Sequence, residues 1–278
     1  MVSVGFFDRP GPLVLAHRGG CALGPENTLA AFDRGLAAGA DGLELDVHLS
    51  ADGVVVVHHD ETLDRTTNAS GPVASRTAAE LARIDAGCRF TAAHAGAGTG
   101  GQAGPPADPG PTGIPRLEDV LARYADVPIV IEMKVDSREM GLAVARVVRE
   151  AAAVDRVCAA GFGGHGLEAV RRALPQVDTS ASRLEARLAV YGAWIRWPFR
   201  GLPYGGYLVP ERAGLIRVVS PFFIRRSHAN GLKVQVWTVD DRADIERLLA
   251  WGVDAIITDR PDVAVAVRDA FVARRGSR

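Results

Sequence analysis

Along most of this chain, short apolar runs alternate with longer stretches of helical period, and that alternation restricts the fold more than any other feature. Leu13-Val14-Leu15-Ala16 precedes a helix-like stretch from Asn27 to Ala38, and Ile129-Val130-Ile131 precedes another from Arg138 to Ala153. Between them, Gly42 to Val47 and Val54 to His58 read as strands. Further on, Arg156 to Ala160 leads into a helical Gly166 to Leu174, and Gln176 to Thr179 is a weaker strand. Lys233 to Thr238 is followed by a helix over Asp240 to Trp251, and Asp254 to Thr258 by a last helix from Pro261. With one more strand between Tyr204 and Val219 the total comes near eight, which predicts a closed TIM (β/α)8 barrel over an open doubly wound sheet. At 278 residues the chain has the length of such a barrel, so residues 1–278 are expected to form one barrel domain.

Two segments break the rhythm. Ala92 to Gly113 is rich in Gly, Ala and Pro and too poor in large apolar residues to build a core, so a flexible insertion is expected near residues 90–113, over one end of the barrel. Leu188 to Pro210 carries Tyr191, Trp194, Trp197, Phe199, Tyr204 and Tyr207 in a chain that is only 6% aromatic. Arg196, Pro198, Arg200 and Pro203 interrupt it too often for a spanning helix. Two readings stay open for residues 188–210: packing on the barrel wall, or a surface facing substrate or lipid, with peripheral membrane contact.

Composition excludes several classes. With 47% hydrophobic and 23% charged residues the chain is neither disordered nor membrane-spanning. Lys+Arg 32 against Asp+Glu 33, a formal net charge of -1, argues against tracking nucleic acid by bulk electrostatics, so any anion site must be local. Cys21, Cys88 and Cys158 are widely spaced and odd in number, as in a reducing compartment. Met1 to Pro12 has neither the basic nor the apolar region of a secretory signal, so a cytoplasmic location is expected.

The chemistry gathers at the ends of the apolar runs. In Glu44-Leu45-Asp46 the carboxylates are two apart on a strand and project from one face; the same spacing recurs in Glu132-Met133-Lys134. Acids aimed inward from successive strands repel each other and lose hydration unless a cation compensates them. Carboxylates without thiolates suit one hard divalent cation, Mg²⁺ or Ca²⁺, better than Zn²⁺. The plainer reading is an internal ion pair of Glu132 with Lys134 or Arg18. His17-Arg18-Gly19-Gly20 stands where a first barrel strand ends; its arginine offers a planar fork to phosphate, and its glycines allow close backbone approach. His58-His59-Asp60 ends another run, and alternation lets only one of these histidines face the barrel mouth. Gly24-Pro25-Glu26-Asn27-Thr28 opens a helix, with Asn27 or Thr28 as its cap. Trp237 either lines the mouth, against the organic part of a substrate, or seals the barrel end.

Taken in order, HRGG with PENT (His17 to Thr28), DGLELDVHLSADGVVVVHHDETLDRTT (Asp41 to Thr67), IPRLEDVL (Ile114 to Leu121), IEMK (Ile131 to Lys134), VWTVDD (Val236 to Asp241) and GVDAIITDRP (Gly252 to Pro261) resemble the glycerophosphodiester phosphodiesterase family. The resemblance implies a TIM barrel that cleaves glycerophosphodiesters to glycerol 3-phosphate and an alcohol with a divalent cation. Position by position it implies metal binding by Glu44, Asp46 and Glu132, acid–base roles for His17 and His59, and phosphate contacts from Arg18 and Lys134; it also selects His59 over His58. Departures are peripheral: the insertion after Phe90 is low in complexity, and residues 188–210 fall outside the shared pattern. Peripheral loops contact the leaving group, so an alternative is a lysophospholipase D- or sphingomyelinase D-like enzyme acting on lipids. A third reading is a non-catalytic phosphodiester- or lipid-binding barrel, whose mark would be loss of a histidine or metal carboxylate; none is lost here.

Overall fold

The computed structural model describes residues 5–91, 112–194 and 201–276. In chain order its elements begin with β1 (Leu13–His17), α1 (Leu29–Ala37), β2 (Gly42–Leu49), β3 (Val55–Val57), α2 (Ala78–Leu81) and α3 (Leu117–Arg123). There follow β4 (Ile129–Met133), α4 (Arg138–Glu150), β5 (Val157–Gly161), α5 (His165–Ala173), β6 (Asp178–Thr179) and α6 (Arg183–Trp194). The chain ends with β7 (Gly206–Pro210), β8 (Arg212–Ala213), β9 (Ile216–Arg217), α7 (Pro221–His228), β10 (Lys233–Trp237), α8 (Arg242–Trp251), β11 (Ala255–Thr258) and α9 (Pro261–Gly276).

The sheet runs β6-β5-β4-β2-β1-β11-β10-β7, every neighbouring pair parallel. Its two ends meet. Ser180 pairs with Gly206 in parallel, the Ala181 amide donates to the Gly206 carbonyl at 2.9 Å, and the Gly205 amide to the Thr179 carbonyl at 3.1 Å. The result is the expected (β/α)8 barrel, with β7 as the strand anticipated between Tyr204 and Val219.

One expected barrel strand is not one. Of Val54 to His58, Val55–Val57 form β3, which returns antiparallel along the end of β2, pairing Val47 with Val57 and Leu49 with Val55. Only Ser50 to Val54 separates Leu49 from Val55, with Gly53 at φ +72, and so short a link allows a hairpin but no parallel crossover. β2 continues past its register with β4, so its free edge there is covered by β3.

The starts of the strands are sealed. Phe6 and Phe7 pack edge to face at 5.3 Å and join Leu15, Val130, Cys158, Ala160, Ala255 and Ile257 in one buried cluster. A Cβ on Gly205 would lie 2.4 Å from the Phe7 ring, so the plug needs glycine there. With this end filled, chemistry is confined to the strand C-termini. Outside, α3, α4 and α5 pack on one half of the barrel, and α7, α8 and α9 on the other.

Residues 188–210 divide between the two readings. Tyr204 and Tyr207 are core residues, packed with Phe223, whereas Tyr191 is exposed beside the barrel mouth. Trp197 and Phe199 lie outside the described residues, as do residues 92–111 of the insertion expected near residues 90–113. No helix among the described residues is long and apolar enough to cross a membrane.

Candidate active site

The register of three adjacent strands assembles the carboxylates. His17 on β1 is level with Glu44 on β2, and Asp46 on β2 is level with Glu132 on β4, so all four stand near the strand C-termini. One oxygen from each of Glu44, Asp46 and Glu132 lies within 4.8 Å of the others. Glu44 and Asp46 are almost wholly buried, and Glu132 partly so.

The turn after β1 is unusual. Arg18, Gly19 and Gly20 all have positive φ (52°, 89° and 86°), and the chain folds back so that the Arg18 amide donates to Glu44 Oε2 at 3.1 Å. Gly19 is required twice over: its φ favours glycine, and an added Cβ would meet the Ala31 carbonyl carbon at 2.7 Å. Across the same contact, a Cβ on Gly35 would lie 2.5 Å from the Gly19 carbonyl oxygen. Helix α1 is thus pressed against the turn and holds it in place.

Of the two ion pairs of the plainer reading, Glu132 with Lys134 forms, whereas Arg18 pairs with other acids. Lys134 Nζ is 2.8 Å from Glu132 and 3.4 Å from Asp46; Arg18 reaches Glu26 at 2.9 Å and Asp46 at 3.2 Å. Burial opposes the charge on both cations, but the surrounding carboxylates outweigh it and raise both pKa values. Glu44 is treated differently. Burial first, then Asp46, with a lesser push from Glu132, hold its carboxyl well above the usual carboxylate range, against the opposing pull of His17 and Arg18. A carboxylate held in this way beside two others fits a bound hard cation, whose charge would restore it to the ionised form. The three-carboxylate set therefore suits a divalent cation.

Each candidate histidine is tied to an aspartate by Nδ1. His17 Nδ1 donates to Asp259 Oδ1 at 2.5 Å, leaving Nε2 free 3.9 Å from Glu44; His59 Nδ1 donates to Asp60 at 2.6 Å. Desolvation works against the His17 cation, yet the Asp259 bond and Glu44 prevail and raise its pKa above 6.5. β3 runs back toward the mouth and ends beside Asp46, whose carbonyl accepts from the His58 amide at 3.0 Å. His58 itself is buried, with Nε2 on the Thr62 carbonyl, while His59 lines the cavity. His48 supports this loop by donating to the His59 carbonyl at 3.0 Å.

A cavity of about 510 Å³ opens over these residues, and His17, Arg18, Glu44, His59, Glu132, Lys134 and Trp237 all line it. Trp237 lines the cavity, edge-on to Phe162 at 5.9 Å, and also packs on the buried cluster inside the barrel.

Several partners were not singled out from the sequence. Asn27 is not the helix cap; Thr28 is, accepting from the Ala31 amide. Asn27, at φ 58, instead grips Asp46, its Nδ2 donating to Oδ2 at 2.9 Å and its Oδ1 accepting from the Asp46 amide at 3.3 Å. Arg65 clamps Glu26 and Asp60 together, at 2.7 and 2.6 Å. Asp259, directly after β11, carried a usable signal: an acid at the end of a barrel strand faces the same mouth as the others. Cys21 lies near His17 and Asp259, but its thiol is pushed up by burial and by Asp259 and is already engaged with that carboxylate.

Comparisons with known proteins agree with this architecture. The chain is 32% identical over 259 residues to a glycerophosphodiester phosphodiesterase of Caldanaerobacter subterraneus subsp. tengcongensis, covering 91% of this chain and 96% of that one. It is also 32% identical over 266 residues to one from Bacillus altitudinis, covering 92% and 98%. The crystal structure of glycerophosphodiester phosphodiesterase from Agrobacterium tumefaciens is similar at a TM-score of 0.73 and 31% identity, over 93% of this chain and 100% of that one. Residues 17–263 match the Glycerophosphoryl diester phosphodiesterase family, a span that opens on His17 and takes in every strand-end acid described above. This chain therefore belongs to the glycerophosphoryl diester phosphodiesterase family, and it is an enzyme.

Proposed function

We propose that the site hydrolyses glycerophosphodiesters to glycerol 3-phosphate and an alcohol, with Glu44, Asp46 and Glu132 holding one divalent cation, Mg²⁺ or Ca²⁺. The observation that carries this reading is the pair of aspartate-backed imidazoles lining the same cavity as the three carboxylates. When bound, the cation supplies positive charge against the phosphate's anionic oxygens.

The chain's own residues do the rest. Arg18 and Lys134 are held between acids and face the cavity, placed to share their charge with a phosphate. Asp259 and Asp60 fix the imidazole rings by Nδ1, so Nε2 of each is the atom that exchanges a proton. One imidazole takes the proton of the attacking oxygen, and the other returns a proton to the departing alkoxide. Each such transfer contributes about 10² to 10⁴ in rate.

The test is release of glycerol 3-phosphate from glycerophosphocholine by the wild type, His17→Ala and His59→Ala. Each variant is expected to lose about 10² to 10⁴ in kcat. Near-normal turnover by either would rule out the two-histidine scheme.

A further inference from the structure

A second group of metal-ligating side chains stands beside the carboxylate centre. His17, Cys21 and Asp259 each offer one ligand atom, and these atoms lie within 4.8 Å of one another. Imidazole, thiol and carboxylate together suit Zn²⁺ and its softer relatives, whereas the three carboxylates of Glu44, Asp46 and Glu132 suit a hard cation. The two groups therefore differ in the ion they prefer. They also meet opposite ends of one ring: His17 turns Nδ1 toward Asp259 and Nε2 toward Glu44, 3.9 Å away. An ion on the Nδ1 side leaves the carboxylate centre in place.

The backbone presents these three residues to one another. His17 ends β1, Asp259 follows β11, and the two strands pair in register up to Ala16 and Thr258. Cys21 comes from the turn after β1, which is tied across to β11 where the Ala22 amide donates to the Asp259 carbonyl at 3.2 Å. Gly20 seats that turn on Pro261, whose ring an added Cβ would meet at 2.9 Å. Asp240 steadies the far side, its Oδ1 accepting from the Asp259 amide and from Thr258 Oγ1, each at 2.8 Å. Outer contacts of this kind hold ligands ready for an ion. All three side chains are only partly buried, so an ion can reach them from solvent.

The spacing fits as well. A tetrahedral Zn²⁺ with bonds of about 2.0–2.3 Å holds its ligands roughly 3.3–3.8 Å apart. His17 Nδ1 and Asp259 Oδ1, now 2.5 Å apart across a hydrogen bond, need only part by about 1 Å to admit it. Cys21 is a neutral thiol bonded to Asp259, and a coordinated ion takes the place of its proton.

We infer that His17 Nδ1, Cys21 Sγ and the Asp259 carboxylate form an inhibitory site for one thiophilic divalent cation of the Zn²⁺ type. The inhibition rests on the phosphodiesterase reading above; the binding does not. Coordination at Nδ1 replaces the hydrogen bond to Asp259 and leaves the ring proton on Nε2. A neutral imidazole bound in this way has no lone pair at Nε2 to accept a proton, and its Nε2–H is too weak an acid to give one up. His17 then fails as base and as acid alike. With His17 neutral, the thiol proton is released to water and the Nδ1 proton is exchanged for one on Nε2. Nothing is oxidised or reduced.

The experiment titrates untagged wild type, Cys21→Ser and Cys88→Ser with Cd²⁺, in whichever of Mg²⁺ or Ca²⁺ supports turnover, at saturation. Equilibrium dialysis counts the bound Cd²⁺, the ultraviolet charge-transfer band reports a Cd²⁺–thiolate bond, and glycerophosphocholine hydrolysis is followed in the same samples. The wild type is expected to bind a single Cd²⁺ with the band and to lose turnover in step with it. Adding more of the hard cation should not restore turnover; a chelator followed by fresh hard cation should. Cys21→Ser should keep its turnover without Cd²⁺, lack the band and need more than roughly 100-fold more Cd²⁺ for equal inhibition. Cys88→Ser, which removes the exposed thiol, should behave as wild type.

Inhibition that Cys21→Ser leaves unchanged, or that more hard cation relieves, would put the Cd²⁺ at the carboxylates and overturn the proposal. A band that survives in Cys21→Ser and vanishes in Cys88→Ser would overturn it too, as would a Cys21-dependent band with unaltered turnover. A Cys21-dependent band in a protein that hydrolyses no diester would keep the cation site and reject the phosphodiesterase reading. Hydrolysis with no such band at any Cd²⁺ concentration would do the reverse.

Discussion

Replacing Asp259 by Asn separates the role of His17 from that of the metal centre. The wild-type bond, 2.5 Å long between side chains 16% and 27% exposed, is a charged hydrogen bond largely out of water. Such bonds contribute about 1.5–3 kcal/mol, equivalent to roughly 1–2 pH units in the imidazole. Burial alone would hold His17 below 6.5; the Asp259 bond, the next influence in size, and Glu44 lift it above. With Asn in place, Glu44 remains the chief support against burial, and the His17 titration in metal-free protein should fall by about 1–2 units, as read from its NMR shifts.

Turnover should fall too. An amide can present N–H to Nδ1, which moves the ring proton to Nε2 and spoils proton exchange there, at about 10² to 10⁴ in kcat. Stability gives an independent reading. His17 is raised from 6.5, so its contribution is full below that pH and is lost as pH rises through the raised value. Asp259 is lowered from 3.8, burial being overcome by His17, so its contribution is present above that pH and is lost as pH falls through the depressed value. The destabilisation by Asp259→Asn should therefore be greatest from about pH 4 to 6.5 and shrink at alkaline pH. An unchanged His17 titration with turnover within about threefold of wild type would refute the reasoning.

Three further outcomes follow from contacts around the site. Asn27→Ala removes both bonds to Asp46 and should weaken divalent-cation binding about 10- to 100-fold by calorimetry. Gly19→Ala forces a side chain into positive φ against the backbone of α1 and should cost more than about 2 kcal/mol in urea unfolding. Arg65→Ala frees Asp60 and Glu26 together; Arg65 is half exposed, so stability should change by less than about 1 kcal/mol. Loss of the His59 support should still lower kcat, by about tenfold.

Much of this was legible because the barrel strands are short, uninterrupted and end in polar clusters. The same-face placement of Glu44 and Asp46 needs only the period of a strand, and their proximity to Glu132 only that β2 and β4 be neighbours. β3 was misplaced because Val54 to His58 has the composition of a buried parallel strand; the five-residue link from β2 to β3, not the run itself, decides its direction. Choosing His59 over His58 needed the family resemblance, since alternation permits either. The partners that orient the site were harder to read. Asn27 sits next to a good capping residue and looks like a cap, and its real bond to Asp46 spans two elements. Asp259 meets His17 only because the last strand closes against the first, a contact 242 residues apart in sequence.

The most direct test of the central claim is titration of stringently demetallated protein with Mg²⁺ or Ca²⁺, following bound ion and glycerophosphocholine hydrolysis in the same samples. A single ion should bind, turnover should rise in step with its occupancy, and Glu44→Gln should weaken both. Full turnover before any ion is added, or binding that Glu44→Gln leaves unchanged, would contradict a cation held by Glu44, Asp46 and Glu132.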